Sequence, residues 1–83
     1  MTFVSATFTN NYSASRFWTI SDTGIDPNHP KVIFNDYLDV NDSTPVLQLR
    51  KDYGGTQGHA QYQRSDGQVT AVDVTDGSVV GMS

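Results

Sequence analysis

The sequence predicts an all-β fold, a small antiparallel β-sandwich of immunoglobulin-like character with about seven strands and a C-terminal three-stranded meander. Three observations predict it. Val, Ile, Thr and the aromatic residues fill 30 of the 83 positions, against 19 for the strong helix formers. Branched and aromatic side chains suit a pleated surface and lose rotamer freedom in a helix. All nine acidic residues are Asp, which competes with the helical backbone for hydrogen bonds and favours turns. Finally, Asp66-Gly67 and Asp76-Gly77 stand ten residues apart, the spacing of successive type I′ hairpin turns.

The elements follow in order. Thr2 to Thr9 alternates, with Val4, Ala6 and Phe8 on one face, Ser5, Thr7 and Thr9 on the other, and Phe3 as a second-face anchor. Asn10 to Ser13 is turn chemistry. Arg16 to Asp22 is a second strand, setting Trp18 and Ile20 against Phe17 and Thr19. Thr23 to Pro30 holds Gly24, Pro27 and Pro30 and reads as one long connection, because proline has no place in a central strand. Lys31 to Leu38 is a third strand, and Thr44 to Lys51 a fourth with Leu47 and Leu49 inward. A glycine-rich loop over Asp52 to Gly58 leads into a fifth strand, Gln57 to Arg64. Val69 to Val74 and Val79 to Met82 complete the set, each preceded by an Asp-Gly turn. A small barrel is the alternative arrangement.

Length sets the organisation. Eighty-three residues hold one core, so 1–83 reads as a single domain. A chain of this size buries about 60% of its unfolded surface, so a partner subunit would add stability and a homo-oligomer is a reasonable expectation.

Charge and composition exclude several classes. Five basic residues against nine Asp give a net charge of −4, and the basic residues are scattered. Nucleic acid and anionic membrane surfaces both require clustered Lys and Arg, so neither is an expected partner. No cysteine is present, which removes disulfides and thiolate metal sites. The longest apolar run is Val32-Ile33-Phe34, too short for a membrane-spanning helix. No secretory signal pattern follows Met1, which suits a cytoplasmic or non-classically exported protein but leaves the compartment unknown.

Four constellations carry chemistry. Asn35, Asp36, Asp39 and Asp42, with Asn41, form an oxygen-rich stretch that suits calcium, which takes six to eight oxygen ligands. The same residues also suit turns and the protection of a sheet edge. His59 could act as a base beside Ser65 or Asp52, but no nucleophile-elbow motif is present and no catalytic residue is assigned. The Gly54-to-Gly58 loop lacks the Lys-Ser/Thr ending of a phosphate-binding loop and reads as a strand connection or a binding loop. Phe17 and Tyr37 fall on the face opposite Trp18 and Tyr62. Together with Tyr53, Gln57 and His59 they are the candidate ligand-binding residues, since aromatic faces stack on sugar rings while amides and imidazoles bond hydroxyls. The same aromatic residues also suit a protein interface.

One stretch resembles a known family. Tyr53, Gly55, Gly58, His59, Ala60 and Tyr62, with Thr56 in place of a serine, resemble the Tyr-x-Gly-Ser-x-Gly-His-Ala-x-Tyr segment of the tendamistat-type α-amylase inhibitors. That resemblance implies a small β-sandwich and, as a function, glycosidase inhibition. The family's Trp-Arg-Tyr triad has only a reordered counterpart in Arg16-Phe17-Trp18, and its two disulfides have no cysteines here.

The sequence therefore points to a non-catalytic binding module, lectin-like or carbohydrate-binding through loops and an exposed sheet face. A structural module forming a symmetric oligomer and an α-amylase inhibitor are the alternatives.

Overall fold

The computed structural model describes residues 3–24 and 28–83. Among them are seven strands: β1 (Phe3–Asn10), β2 (Arg16–Asp22), β3 (Lys31–Leu38), β4 (Leu47–Arg50), β5 (Gln57–Arg64), β6 (Val69–Thr75) and β7 (Ser78–Met82). They form two sheets, a three-stranded one in the order β4-β1-β7 and a four-stranded one in the order β3-β2-β5-β6. Part of the expected Thr23-to-Pro30 connection lies outside the described residues. No helix among the described residues is long and apolar enough to cross a membrane.

Period-two patterning decides the faces. Val4, Ala6 and Phe8 of β1 are buried, as are Trp18 and Ile20 of β2, and Ala60 and Tyr62 of β5. With Leu38, Leu49, Val74 and Met82 they make one buried cluster to which both sheets contribute. Trp18 packs at a tilt on Tyr62, centroids 6.0 Å apart. Leu49 is buried and Leu47 half-buried, while Phe3 is exposed on the other face. Gly58 sits where β5 runs under the other sheet, so close that an added Cβ would stand 2.8 Å from Val4 Cγ2 and 3.2 Å from Leu49 Cβ. Only glycine allows that approach.

Buried polar groups fasten the ends. Asn10, fully buried, donates from Nδ2 to the carbonyls of Ala14 and Leu38 and accepts the Tyr12 N–H at Oδ1. Its backbone carbonyl accepts the N–H of Asn41, a residue with φ of 68°, a left-handed geometry that asparagine tolerates. Thr44 Oγ1 accepts the Phe8 N–H and donates to the Pro45 carbonyl, and Thr44 N–H donates to the Phe8 carbonyl, so this segment stays bonded to β1 although the β4 strand itself begins only at Leu47.

The expected C-terminal meander does not form. β5 and β6 pair antiparallel, but β7 crosses to the other sheet and runs parallel to β1, Ala6 opposite Ser78 through Asn10 opposite Met82. The turn chemistry explains the difference. A type I′ turn needs positive φ at both central residues, whereas Gly77 has φ of 86° and Asp76 does not lie in that region. The turn bonds to β1 instead: Gly77 N–H donates to the Ser5 carbonyl at 2.7 Å, and Ser5 N–H donates to Asp76 Oδ1 at 2.9 Å. The first Asp-Gly pair is not of type I′ either. Neither Asp66 nor Gly67 has positive φ, and the turn closes from Gly67 N–H to the Arg64 carbonyl.

Candidate functional site

The outer face of the four-stranded sheet collects most of the chain's exposed chemistry. Residues that alternate with the core positions point there. Cross-strand register sets Phe17 beside Tyr37, Thr19 beside Asn35 and Gln63, and Ser21 beside Val32 and Gln61. Phe17 and Tyr37 meet edge to face with centroids 5.1 Å apart, and Tyr37 is 67% exposed. Next along the strands, Thr19 Oγ1 donates to Asn35 Oδ1 at 3.0 Å. A polar strip of amides and hydroxyls thus begins at an aromatic platform.

The other end of the same face carries His59. Register places it opposite Asp73 of β6, and the 52–57 loop folds back over it. That loop is closed by Asp52 N–H to the Gln57 carbonyl and Gly55 N–H to the Asp52 carbonyl, with Gly54 at φ of 73°. Asp52 is thereby delivered to the ring. His59 Nε2 lies 2.7 Å from Asp52 Oδ2, and Nδ1 lies 2.7 Å from Asp73 Oδ1. Only an imidazolium donates from both nitrogens. The bond to Asp52 and then the bond to Asp73 hold the His59 pKa above its ordinary 6.5, against a smaller opposing effect of burial. Thr23 and Gly24 face this trio across an open groove of about 410 Å³.

A third cluster lies at the aromatic end. The Arg64 guanidinium sits 3.9 Å over the Tyr12 ring and that of Arg16 sits 5.1 Å from it. Asp66 accepts from the Nε–H of both arginines. The hydrogen bond from Arg64 keeps the Asp66 carboxyl below its usual range, opposed next by desolvation and helped by the bond from Arg16. Composition alone did not single out this cluster, because it joins the β1–β2 turn to the β5–β6 turn through strand pairing.

The candidate ligand residues divide into two groups. Phe17 and Tyr37 share one end of the sheet, while Gln57, His59 and the fully exposed Tyr53 belong to the other. Six residues of strand separate them, about 20 Å at ~3.3 Å per residue. Ser65 does not meet His59: it lies at the far end of β5, where its N–H bonds the Phe17 carbonyl. Asp52 does meet it. Asp73 was not singled out in the sequence, although Ala60 and Tyr62 pack inward with Val72 and Val74, and that pairing sets His59 against Asp73.

The calcium cluster is not assembled. Among the described residues no three His or Asp side chains are grouped so as to hold a metal ion. Asn35 and Asp36 are successive strand residues, opposite Thr19 and Trp18 respectively, so they point to opposite faces. Asp36 Oδ1 accepts the Tyr37 N–H, and Asp39 Oδ1 accepts the Ser15 hydroxyl. Asp42 belongs to the turn, its N–H bonded to the Asp39 carbonyl.

No protein-family model matches the chain, and neither does any curated protein or solved structure. The Tyr53-to-Tyr62 stretch spans the His59 loop and β5, and Arg16-Phe17-Trp18 lies within β2 with Trp18 in the core.

Proposed function

We propose that this protein is a non-catalytic carbohydrate-binding module, built as a small immunoglobulin-like β-sandwich, that binds its ligand on the outer face of the four-stranded sheet. One observation carries the reading: the exposed Tyr37 ring, braced edge-on by Phe17, stands next to the hydrogen-bonded Thr19–Asn35 pair, and the same face continues across the sheet to Gln63 opposite Thr19 and Gln61 opposite Ser21. A sugar ring stacks its C–H face on an aromatic ring while neighbouring amides bond its hydroxyls. The face continues to the Asp52–His59–Asp73 groove, which suits a linear oligosaccharide lying along the strands. A single core cluster shared by both sheets supports the sandwich architecture.

A glycan array probed with the wild-type protein and with Tyr37→Ala tests the proposal. Selective binding that falls at least tenfold in the variant supports it. A blank array, or binding indifferent to Tyr37, overturns it. The α-amylase-inhibitor alternative rests on the Tyr53-to-Tyr62 resemblance, and residual amylase activity at equimolar protein tests it.

A further inference from the structure

We infer that β3 is a self-complementary edge, pairing antiparallel with β3 of a second copy of this chain to form a continuous eight-stranded sheet across a two-fold axis. The proposal is independent of the ligand-binding reading.

Among the described residues, β3 ends the four-stranded sheet and has a strand on one side only. An edge strand presents unpaired N–H and C=O groups that template another strand. This edge is also the chain's most continuous apolar segment, with Val32 53% exposed, Ile33 and Phe34 half-buried, and Tyr37 67% exposed. It carries one cation, Lys31, and one anion, Asp36. Both are exposed, and neither forms an ion pair with any described residue.

The β-bulge makes these charges complementary. In a regular strand, residues five apart point to opposite faces. Pairing with β2 shifts register between Ile20 and Ser21, so Phe34 opposes Ile20, Val32 opposes Ser21, and Ile33 is the extra residue. Lys31 and Asp36 consequently share the core-side row, opposite Asp22 and Trp18, while Val32 and Asn35 share the outer row. Directly opposed residues of an antiparallel pair must point to the same face. The bulged strand meets that condition when Lys31 opposes Asp36 of the second copy, Val32 opposes its Asn35, and Ile33 opposes its Phe34. Two-fold symmetry makes each ion pair twice. The next position would set Tyr37 against Pro30, which has no N–H to continue the ladder.

β6, the other edge of this sheet, contains no Lys or Arg. It offers no equivalent charge complement. A six-residue ladder is a small interface, so the dimer forms at micromolar rather than nanomolar concentration.

Sedimentation equilibrium over a concentration series tests the inference with Lys31→Asp, with Asp36→Lys and with their mixture. Wild type is expected to approach twice 9.1 kDa. Each single variant places like charges in both ion-pair positions and should dimerise roughly tenfold more weakly or not at all. Mixing the two variants restores opposite charges at both positions and should restore the dimer. Both substitutions are at exposed sites, so unchanged melting temperatures confirm that folding is intact. A wild-type monomer at every concentration overturns the inference. So does a dimer that survives in both single variants, or a mixture of folded variants that remains monomeric.

Discussion

Asp22 on β2 and Arg50 on β4 belong to different sheets and are joined twice through a single oxygen. Asp22 Oδ2 accepts the Arg50 backbone N–H at 3.0 Å and its Nε–H at 2.9 Å, while Oδ1 accepts the Gly24 N–H at 2.9 Å. The carboxylate is only 3% exposed. Burial raises its pKa, but the N–H bonds from Arg50 and Gly24 and the Arg50 guanidinium outweigh burial and lower it below 3.8.

Removing that carboxylate should therefore loosen one sheet from the other. Asp22→Ala is expected to cost about 3–5 kcal/mol, since it strands a guanidinium and two N–H groups. Asp22→Asn, which keeps an acceptor, should cost about 1–3 kcal/mol. Urea denaturation measures both. Because folding lowers this pKa, the contribution is present above 3.8 and is lost as pH falls through the lower folded value. Acid unfolding of Asp22→Asn should accordingly be less pH-dependent than that of wild type.

Gly58 makes the second sheet-to-sheet prediction. A methyl group there meets Val4, Leu49 and the Arg50 carbonyl within 3.3 Å. Gly58→Ala should destabilise the protein by about 1–3 kcal/mol through overpacking. Pairing it with Val4→Ala, which vacates the nearest contact, should recover part of the loss, and a double-mutant cycle reads the coupling.

His59 gives the opposite pH dependence to Asp22. Its pKa is raised on folding, so its contribution is whole below 6.5 and disappears as pH rises through the folded value. Both carboxylates are partly solvated, with Asp52 42% and Asp73 61% exposed, which limits the effect to about 0.5–1 kcal/mol. The melting temperature should fall slightly as pH rises from below 6.5 through the folded value. Combined Asp52→Asn and Asp73→Asn substitutions should flatten that slope, and a proton NMR titration of the imidazole should move toward the ordinary histidine value.

Trp18 is wholly buried, and its Nε1–H has no hydrogen-bond partner among the described residues. Phenylalanine removes that unsatisfied donor along with some volume, so the two effects oppose. Trp18→Phe should cost about 1–2 kcal/mol, against about 3–5 kcal/mol for Trp18→Ala. As the chain's single tryptophan, it should show blue-shifted emission that acrylamide quenches poorly until the protein unfolds.

Strand content was legible in the sequence because period-two alternation is a local signal. Val4, Ala6 and Phe8, and Trp18 against Phe17, could be assigned inward and outward without any knowledge of partners. Partner choice was not legible. A two-residue turn at Asp66-Gly67 would set His59 against Val74, pairing an outward residue with an inward one. The observed register avoids that mismatch and sets His59 against Asp73. Burial of Val72 and Val74 with Ala60 and Tyr62 decided this register, and the dipeptide alone suggested another. The same competition at Asp76-Gly77 was won by the two hydrogen bonds to Ser5, a partner far away in sequence. Ser5 carries no local mark of that role.

The parallel pairing of β1 with β7 also governs when the fold can be completed. The β2–β3 and β5–β6 pairs join neighbours in the chain and close short loops, so each can form early. The β4-β1-β7 sheet must wait until Ala6 finds Ser78, and it is β1, held between two distant partners, that waits. Folding should therefore be slow for so small a protein, on the order of milliseconds to seconds. Until β1 docks, the apolar sides of the two early hairpins stand open to water and to one another.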